Sequence, residues 1–273
     1  MISRKRFAAY SRLLYWSFGN AMREYFSVRT RAAMNILAVA MDVAIWGTLA
    51  GLIGPSIAPM LAEYGTSNPV TFMLSGIIIS RFVDMAQLIQ PYFFRTSYKT
   101  YHHRPFNIWL VCFIESIDEA YFWRLLNLFI YISLAALLFG VFLKFDSCAF
   151  WLIVILGALY RLGLNLFTAG WIVLTKGEKD PITWFYTATN RLLTGELFPV
   201  AALPALLQWV AKIHPQTYVN LLARKATLQG QTLRQILPQI GTLLVLATAF
   251  LLLGCVTLRV CIKRAKREGT MKW

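Results

Sequence analysis

The residues best placed to do chemistry in this sequence are charged side chains inside long apolar runs. Arg81 and Asp84 stand three positions apart on one helical face, so we expect them to pair and neutralise each other. Further charges of this kind are Asp42, Arg124, Arg161, Arg191 and Glu196. A charge at the centre of a lone membrane helix costs on the order of 3 kcal/mol, so these side chains should face other helices or a wet cavity. These charged side chains either line a transport pathway or form ion pairs between helices that only stabilise the bundle.

The sequence contains no motif for nucleotide binding or autonomous catalysis. It lacks Gly-x-x-x-x-Gly-Lys-Ser/Thr, His-Glu-x-x-His, Gly-x-Ser-x-Gly and Cys-x-x-Cys. His102 and His103 are adjacent and His214 stands alone, which does not favour a metal site. No catalytic residue, metal site or enzyme activity is therefore predicted. The enzymatic alternative is a lipid-modifying protein with His102 and His103 as acid and base, but no second catalytic group is spaced to help them.

The composition excludes a soluble globular protein. Of 273 residues, 58% are hydrophobic and only 14% are charged, against roughly 25% charged in an ordinary soluble domain. The mean hydropathy is +0.57, so lipid must surround most of the chain. The formal charge of +15 would indicate a nucleic-acid partner in a soluble chain. Here the basic residues flank apolar runs, and no nucleic-acid partner is predicted.

Six apolar stretches are long enough to cross a bilayer, whose ~30 Å core needs about 20 helical residues. They cover approximately residues 32–54, 69–94, 117–143, 148–174, 182–200 and 240–261. The predicted fold is therefore an all-α integral membrane protein with six transmembrane helices, within a membrane domain at residues 32–262.

The distribution of Lys and Arg predicts that both termini lie in the cytoplasm. Seven basic residues precede residue 32, six occur from Arg259 onward, and the loop at 55–68 has none. Residues 263–273 form a basic cytoplasmic tail in this interpretation. Four basic residues between the fifth and sixth stretches do not follow the pattern: Lys212, Arg224, Lys225 and Arg234.

Residues 1–31 have the pattern of an amphipathic helix lying at the membrane surface. Aromatic and apolar side chains recur there every three or four residues, from Phe7 to Phe26, with Arg12 and Arg23 between them. This helix is either a simple anchor or a surface for docking a partner.

A second cytoplasmic helix is predicted at about residues 105–115, between the second and third stretches. Asn107 would cap it, and its apolar side chains would be Ile108, Trp109, Val111, Cys112 and Phe113. Ser116 and Glu119 have the spacing of a capping box, which places a separate start of the third span near Ile117. Either lipid headgroups or a groove on a cytoplasmic protein would cover the short helix.

Residues 199–215 predict a re-entrant or interfacial hairpin. Pro199, Pro204 and Pro215 bracket an apolar piece of about ten residues that ends at Ile213. This piece is too short to cross the bilayer and too apolar for water. Non-helical backbone at that depth must be buried in protein or line a cavity.

The same region carries a resemblance to a known family. Several residues of this region resemble the fifth-span signature of type-2 ATP-binding-cassette export permeases. They are the run from Leu193 to Pro199, Leu203-Pro204, the run from His214 to Tyr218, Arg224 and Gly230. That family has Ser-Gly-x-x-Phe-Pro, then Leu-Pro, an apolar stretch, Pro-x-Thr-Tyr and an Arg before a Gly. The similar topology extends over nearly the whole chain.

The sequence also departs from the family. Thr194 stands where Ser is frequent, and Glu196 stands where an apolar or small residue is usual. The Leu-Gly-x-x-Trp-x-x-x-x-Pro pattern of capsule and O-antigen permeases is not reproduced between Ile36 and Gly54. A polysaccharide cargo is therefore in doubt, and the cargo class stays open among lipids, drugs, peptides and glycans.

The resemblance implies the membrane permease subunit of an ATP-driven exporter in the bacterial cytoplasmic membrane. It implies a dimer with a second copy or a homologous permease, and a separate cytoplasmic ATPase that holds ATP and Mg, so no cofactor is bound by this chain. The implied ATPase-coupling residues are Asn107, Ile108, Trp109, Val111 and Phe113. The implied pathway or gate residues are Arg81, Asp84, Arg191, Glu196, Phe198, Pro199 and Pro204. The alternative is a passive channel or ion-coupled carrier that uses the intramembrane charges.

Overall fold

A computed structural model of the protein describes residues 29–85, 108–175 and 181–268. Every regular element in these ranges is helical, which confirms the all-α class for them. The α-helices are α1 Arg29–Ile57, α2 Pro69–Met85, α3 Ile108–Phe139, α4 Cys148–Leu174, α5 Pro181–Leu193, α6 Ala205–Ile213, α7 Pro215–Leu228 and α8 Leu233–Arg267. Short 3-10 helices lie at Ala58–Met60, Ala62–Tyr64 and Val200–Ala202.

Three helices within the described ranges are long and apolar enough to cross a bilayer, and they indicate a membrane protein. They are Ala33–Gly54 within α1, Cys148–Leu174 and Leu233–Ala265 within α8. The later part of α3, Arg124–Phe139, is a shorter apolar helix. The predicted amphipathic helix at 1–31, apart from the first residues of α1, and residues 86–107 lie outside the described part.

The prediction of one long fifth helix at about 182–200 is wrong. Helix α5 ends at Leu193 after 13 residues, and at ~1.5 Å per residue it is about 20 Å long, shorter than the bilayer core. A non-helical bend follows, then the 3-10 helix, α6 and α7. The predicted hairpin at 199–215 therefore corresponds to the 3-10 helix and α6.

The expected break between a short helix at 105–115 and a third span at Ile117 is also absent from the described chain. Helix α3 runs without interruption from Ile108 to Phe139. It ends at Gly140, whose φ of +64° suits the residue after a helix C-terminus. The amide of Val141 then donates to the carbonyl of Ala135 at 3.1 Å, which satisfies one of the last helical carbonyls.

Helices α4 and α8 pack against each other along their lengths. Their backbones meet at two glycines, because a Cβ added to Gly254 would overlap the carbonyl of Gly163. A Cβ on Gly163 would lie 2.6 Å from the backbone of Leu251. Small residues of this kind are what permit close helix contact in lipid, where no hydrophobic effect drives helices together.

Helix α7 lies at the centre of the fold although its sequence is polar. Of its 14 residues, nine are buried, including Gln216, Asn220 and Arg224. These three polar residues are spaced by four, so they share one face. His214 caps the start of this helix, because its side chain accepts a hydrogen bond from the amide of Gln216 at 3.3 Å.

The connections α1–α2, α3–α4 and α5–α8 meet at one end of the molecule. The amide of Val200 donates to the hydroxyl of Tyr64 at 3.1 Å. The amide of Lys144 donates to the carbonyl of Thr227 at 3.4 Å. Because these connections are in contact, α1, α3 and α5 end on the same side of the bundle.

Candidate functional site

Four helices bring the charges of the apolar runs together. Asp42 comes from α1, Arg81 and Asp84 from α2, Arg161 from α4, and Arg191 from α5. Helices α2, α4 and α5 and the bend after α5 surround a cavity of about 70 Å³, and Asp42 lies beside it. Its lining residues are Ser80, Arg81, Asp84, Arg161, Tyr186, Asn190, Arg191 and Glu196. The expectation that these charges face other helices or a cavity is confirmed for the lining residues.

Asp84 pairs with Arg161, so the predicted pair of Arg81 with Asp84 is wrong. Both Nη2 and Nε of Arg161 donate to Oδ1 of Asp84, the latter at 3.2 Å. The guanidinium also lies 4.5 Å from the ring centre of Tyr186. Arg124, on α3, donates to the backbone carbonyl of Asp84 at 2.7 Å. The partner of Asp84 is thus supplied by a neighbouring helix rather than by its own.

Asp42 is in contact with one group of its own helix and with groups from three other helices. It receives hydrogen bonds from the hydroxyl of Tyr131 on α3 and from Nε1 of Trp46 at 2.8 Å. Arg81 lies 3.7 Å and Arg191 3.9 Å from its carboxylate oxygens. Arg81 in turn donates to the Tyr131 hydroxyl at 3.1 Å. These contacts tie α1 to α2, α3 and α5.

Glu196 is buried directly after α5, with 3% of its surface exposed. Ser80 donates to its Oε2 at 2.8 Å, and Nε of Arg191 lies 3.7 Å from its Oε1. The loose pair of Arg191 with Glu196 that the sequence indicated is therefore present.

The bend at residues 194–196 is held by a buried arginine. Gly195 has a φ of +73°, which a side chain would strain. Arg224, with no exposed surface, donates to the carbonyls of Gly195 at 2.7 Å and Glu196 at 2.8 Å. It also donates to the carbonyl of Phe72 at 2.9 Å and to Ser75 at 3.1 Å.

The guanidinium of Arg224 also packs against an aromatic ring and a glycine of α2. It lies 3.9 Å from the ring centre of Phe72. A Cβ on Gly76 would overlap the guanidinium and the Glu196 carbonyl, so α2 leaves room for both.

Asn220 and Gln216 extend this network along α7. Nδ2 of Asn220 donates to the carbonyl of Thr194 at 3.1 Å and to its hydroxyl at 3.2 Å. Nε2 of Gln216 donates to Oδ1 of Asn220 at 3.2 Å. Sequence reasoning placed no helix at 215–228 and gave these residues no structural role. The spacing of four between Gln216, Asn220 and Arg224 is the signal that could have revealed the polar face.

The other predicted gate residues are distributed around the bend. Pro199 is buried and precedes the 3-10 helix, while Phe198 is half-buried against the core. Pro204 is exposed and precedes α6. Only Arg81, Asp84, Arg191 and Glu196 of the predicted pathway or gate residues line the cavity.

The predicted coupling residues Ile108, Trp109, Val111 and Phe113 lie in the first two turns of α3. Asn107, His102 and His103 lie outside the described residues. Within the described ranges, no three His, Cys, Asp or Glu side chains gather closely enough to hold a metal ion.

Comparison with protein-family models and with the sequences of curated proteins finds no match for this chain. The site is therefore interpreted from its own geometry and from the signature residues in the sequence.

Proposed function

We propose that this chain is the membrane permease subunit of an ATP-driven exporter of the type-2 ATP-binding-cassette class. It works in the bacterial cytoplasmic membrane as a dimer with itself or a homologous permease, and a separate cytoplasmic ATPase supplies the energy. The observation that carries the proposal is the contact between separated parts of the signature. Arg224 donates to Gly195 and Glu196, and Asn220 donates to Thr194.

These contacts give the signature a physical reason. A Gly is needed where φ is positive, and an Arg is needed where bent backbone leaves carbonyls without helical partners. The polar helix and the bend then form one body that a membrane can surround, because Arg224 and Asn220 donate to the carbonyls of the bend.

The arrangement of connections is consistent with six crossings and both termini in the cytoplasm. The loop at 58–68, the α3–α4 loop and the segment between α5 and α8 are in contact at one end of the bundle. In the proposal, this end faces the outside. Arg224 is one of the basic residues that did not follow the predicted distribution of Lys and Arg. It is buried in protein, so it does not place a charge in the outside water.

In the proposed cycle, ATP binds better to the closed ATPase dimer than to the open one. Closure moves the start of α3, at residues 108–113, together with the amphipathic helix that the sequence predicts at residues 1–31. The bundles of the two permeases then rearrange as rigid bodies and open a route between them. The segment from the bend to α7 is the outer gate.

The docking step is tested with the double substitution Trp109→Ala and Phe113→Ala. We expect it to reduce co-purification of the ATPase and ATP-dependent efflux from sealed vesicles. The matched control is Leu206→Ala with Trp209→Ala, which changes exposed apolar residues of α6 and should leave ATPase binding intact. If ATPase binding and coupled efflux survive the change in α3, the docking assignment is wrong.

An ion-coupled carrier is the second candidate, and the charge-lined cavity is the observation that favours it. Acidic and basic groups from α2, α4 and α5 around one cavity are typical of ion pathways. Reconstitution of the chain alone discriminates the two functions. Efflux that needs only an ion gradient would replace the exporter proposal, whereas efflux that appears only with ATPase and ATP supports it.

A further inference from the structure

The last turns of α8 carry a cluster of basic residues. From residue 259 to residue 268 the chain has five basic residues and one acidic residue, which is a net charge of +4. The acidic residue, Glu268, pairs with Arg264 at 2.7 Å. Arg259, Lys263 and Arg267 are exposed and spaced by four, so they lie on one side of the helix. These three residues form the basic face of α8.

The opposite side of this part of α8 is packed against α4. Leu258 and Ala265 are buried in a cluster with Ala169 and Val173 of α4. Residues 162–175, at the end of α4, include no charged side chain, and residues 176–180 have two basic and two acidic ones. The chain that ends and follows α4 therefore does not cancel the charge of the basic face.

The basic face begins at the height of the membrane surface. Helix α8 has 35 residues, and at ~1.5 Å per residue it is about 52 Å long, longer than the ~30 Å bilayer core. A Cβ added to Gly170 would lie 3.1 Å from the Cα of Leu258, so the next residues, Trp171 and Arg259, are at similar heights. Trp171 is 41% exposed, and Trp is enriched where the apolar core meets the headgroups.

An apolar row on α8 leads up to the basic face. It consists of Leu252, Val256 and Val260, which are spaced by four and more than half exposed. In lipid, exposed apolar side chains contact the acyl tails. Val256 and Arg259 are three positions apart, as are Val260 and Lys263, so the members of each pair are neighbours on the helix surface. The surface of α8 thus changes from apolar to basic in the direction in which a lipid changes from tail to headgroup.

We infer that this end of α8 binds an anionic phospholipid, with the headgroup phosphate against the basic face and the acyl tails along the apolar row. A basic cluster next to a membrane helix attracts anionic headgroups, and hydrogen bonds between charged groups are stronger than neutral ones. An acidic surface of a protein would match the charge alone, whereas a lipid matches both the charge and the adjoining apolar row. Such binding holds the end of α8 at its leaflet whether or not the chain is an exporter.

The test measures lipid binding to the full chain in neutral detergent without any ATPase. Short-chain phosphatidylglycerol should raise the thermal unfolding midpoint in a saturable way, and phosphatidylcholine of the same chain length should raise it much less. The effect of phosphatidylglycerol should decrease at high salt, because salt screens the attraction between exposed charges.

The discriminating variant is Arg259→Gln with Lys263→Gln. Each basic residue near an anionic surface contributes about fivefold to affinity, so the double change should weaken phosphatidylglycerol binding roughly 25-fold. The matched control is Lys212→Gln with Arg234→Gln, which removes one Lys and one Arg from exposed positions in α6 and in the first turn of α8. This control should bind phosphatidylglycerol like the native chain.

A second variant separates the effect of charge from that of misfolding. Arg259→Lys with Lys263→Arg exchanges the two basic residues and should keep most of the affinity. The inference is overturned if the two lipids shift the midpoint equally, if the exchange weakens binding as much as the double glutamine change, or if the double glutamine variant binds phosphatidylglycerol like the native chain. The last result, together with lost co-purification of the ATPase, would assign the basic face to a protein partner instead.

Discussion

At the scale of residues, the buried Arg224 donates its hydrogen bonds to backbone carbonyls and a hydroxyl and not to a carboxylate. Arg224 donates to three carbonyls and one hydroxyl, and it has no exposed surface. The carbonyls of Gly195 and Glu196 belong to a bend without helical hydrogen bonding. Buried carbonyls need donors, and one guanidinium supplies several in a fixed plane.

Arg224→Met should lower the free energy of unfolding by about 3 kcal/mol or more, because several buried acceptors lose their donor together. Lys225→Met is the control, since Lys225 is half-buried with one 3.3 Å contact to Gln239, and its effect should be small. Denaturant unfolding followed by tryptophan fluorescence measures both. Equal losses in the two variants would contradict the assigned role of Arg224.

The charge pairs show which residue contacts can be predicted from sequence. The Arg191–Glu196 pair was predictable because its members are five positions apart and a helix end brings them near each other. The partner of Asp84 was not predictable, because Arg161 is 77 positions away on another helix. The spacing within α2 predicted Arg81 as the partner of Asp84, but the packing of the helices places Arg161 there.

At the scale of elements, the close contact of α4 with α8 depends on glycines, which have no side chain. Gly163 and Gly254 allow backbone to touch backbone, and a Cβ at either position would overlap the other helix. In lipid, such close packing provides dispersion contacts that lipid tails do not replace. Helix propensity alone would favour Ala at both positions.

Gly254→Ala should therefore destabilise the protein by about 1–3 kcal/mol, the usual range for overpacking. Gly241→Ala in the same helix is the matched control, because nothing lies within 4 Å of a Cβ added there. It should be neutral or slightly stabilising, since Ala is the better helix former. Thermal unfolding midpoints of the two variants measure the difference, and a neutral Gly254→Ala would show that the helices can separate without loss.

At the scale of the whole molecule, the arrangement of connections sets the expected topology. The α1–α2 loop touches the segment around α7, since the side chain of Gln229 lies against Gly65. The α3–α4 loop reaches the same segment through Lys144 and Thr227. Six crossings with both termini in the cytoplasm would put all these residues outside.

Single cysteines in a chain cleared of its native cysteines test this topology in whole cells. Ser67→Cys and Gln229→Cys, both at exposed positions, should react with a membrane-impermeant maleimide from outside. Lys263→Cys, exposed near the end of α8, should react only after the cells are opened. Labelling of Ser67→Cys and Lys263→Cys from the same side would require a different number of crossings.

The sequence by itself indicated a membrane protein and located three long apolar helices. Apolar runs long enough to cross the bilayer favour helices, so α1 and α4 lie close to their predicted stretches, whereas α8 extends beyond its predicted stretch at both ends. The sequence also indicated that the charged side chains of the apolar runs would face other helices or a cavity. An isolated charge that faces lipid costs too much free energy.

Only the tertiary structure showed which groups donate to the polar backbone of the bend and which residues pair with the buried charges. Helix α5 ends at Leu193 because a buried polar helix, α7, supplies the bend after it with donors from Asn220 and Arg224. A hydropathy pattern does not predict such a helix, because its stability depends on hydrogen bonds to groups that are far away in the sequence. Contacts between distant segments, such as Asp84 with Arg161, are set by how helices pack, and periodicity within one helix carries no information about them.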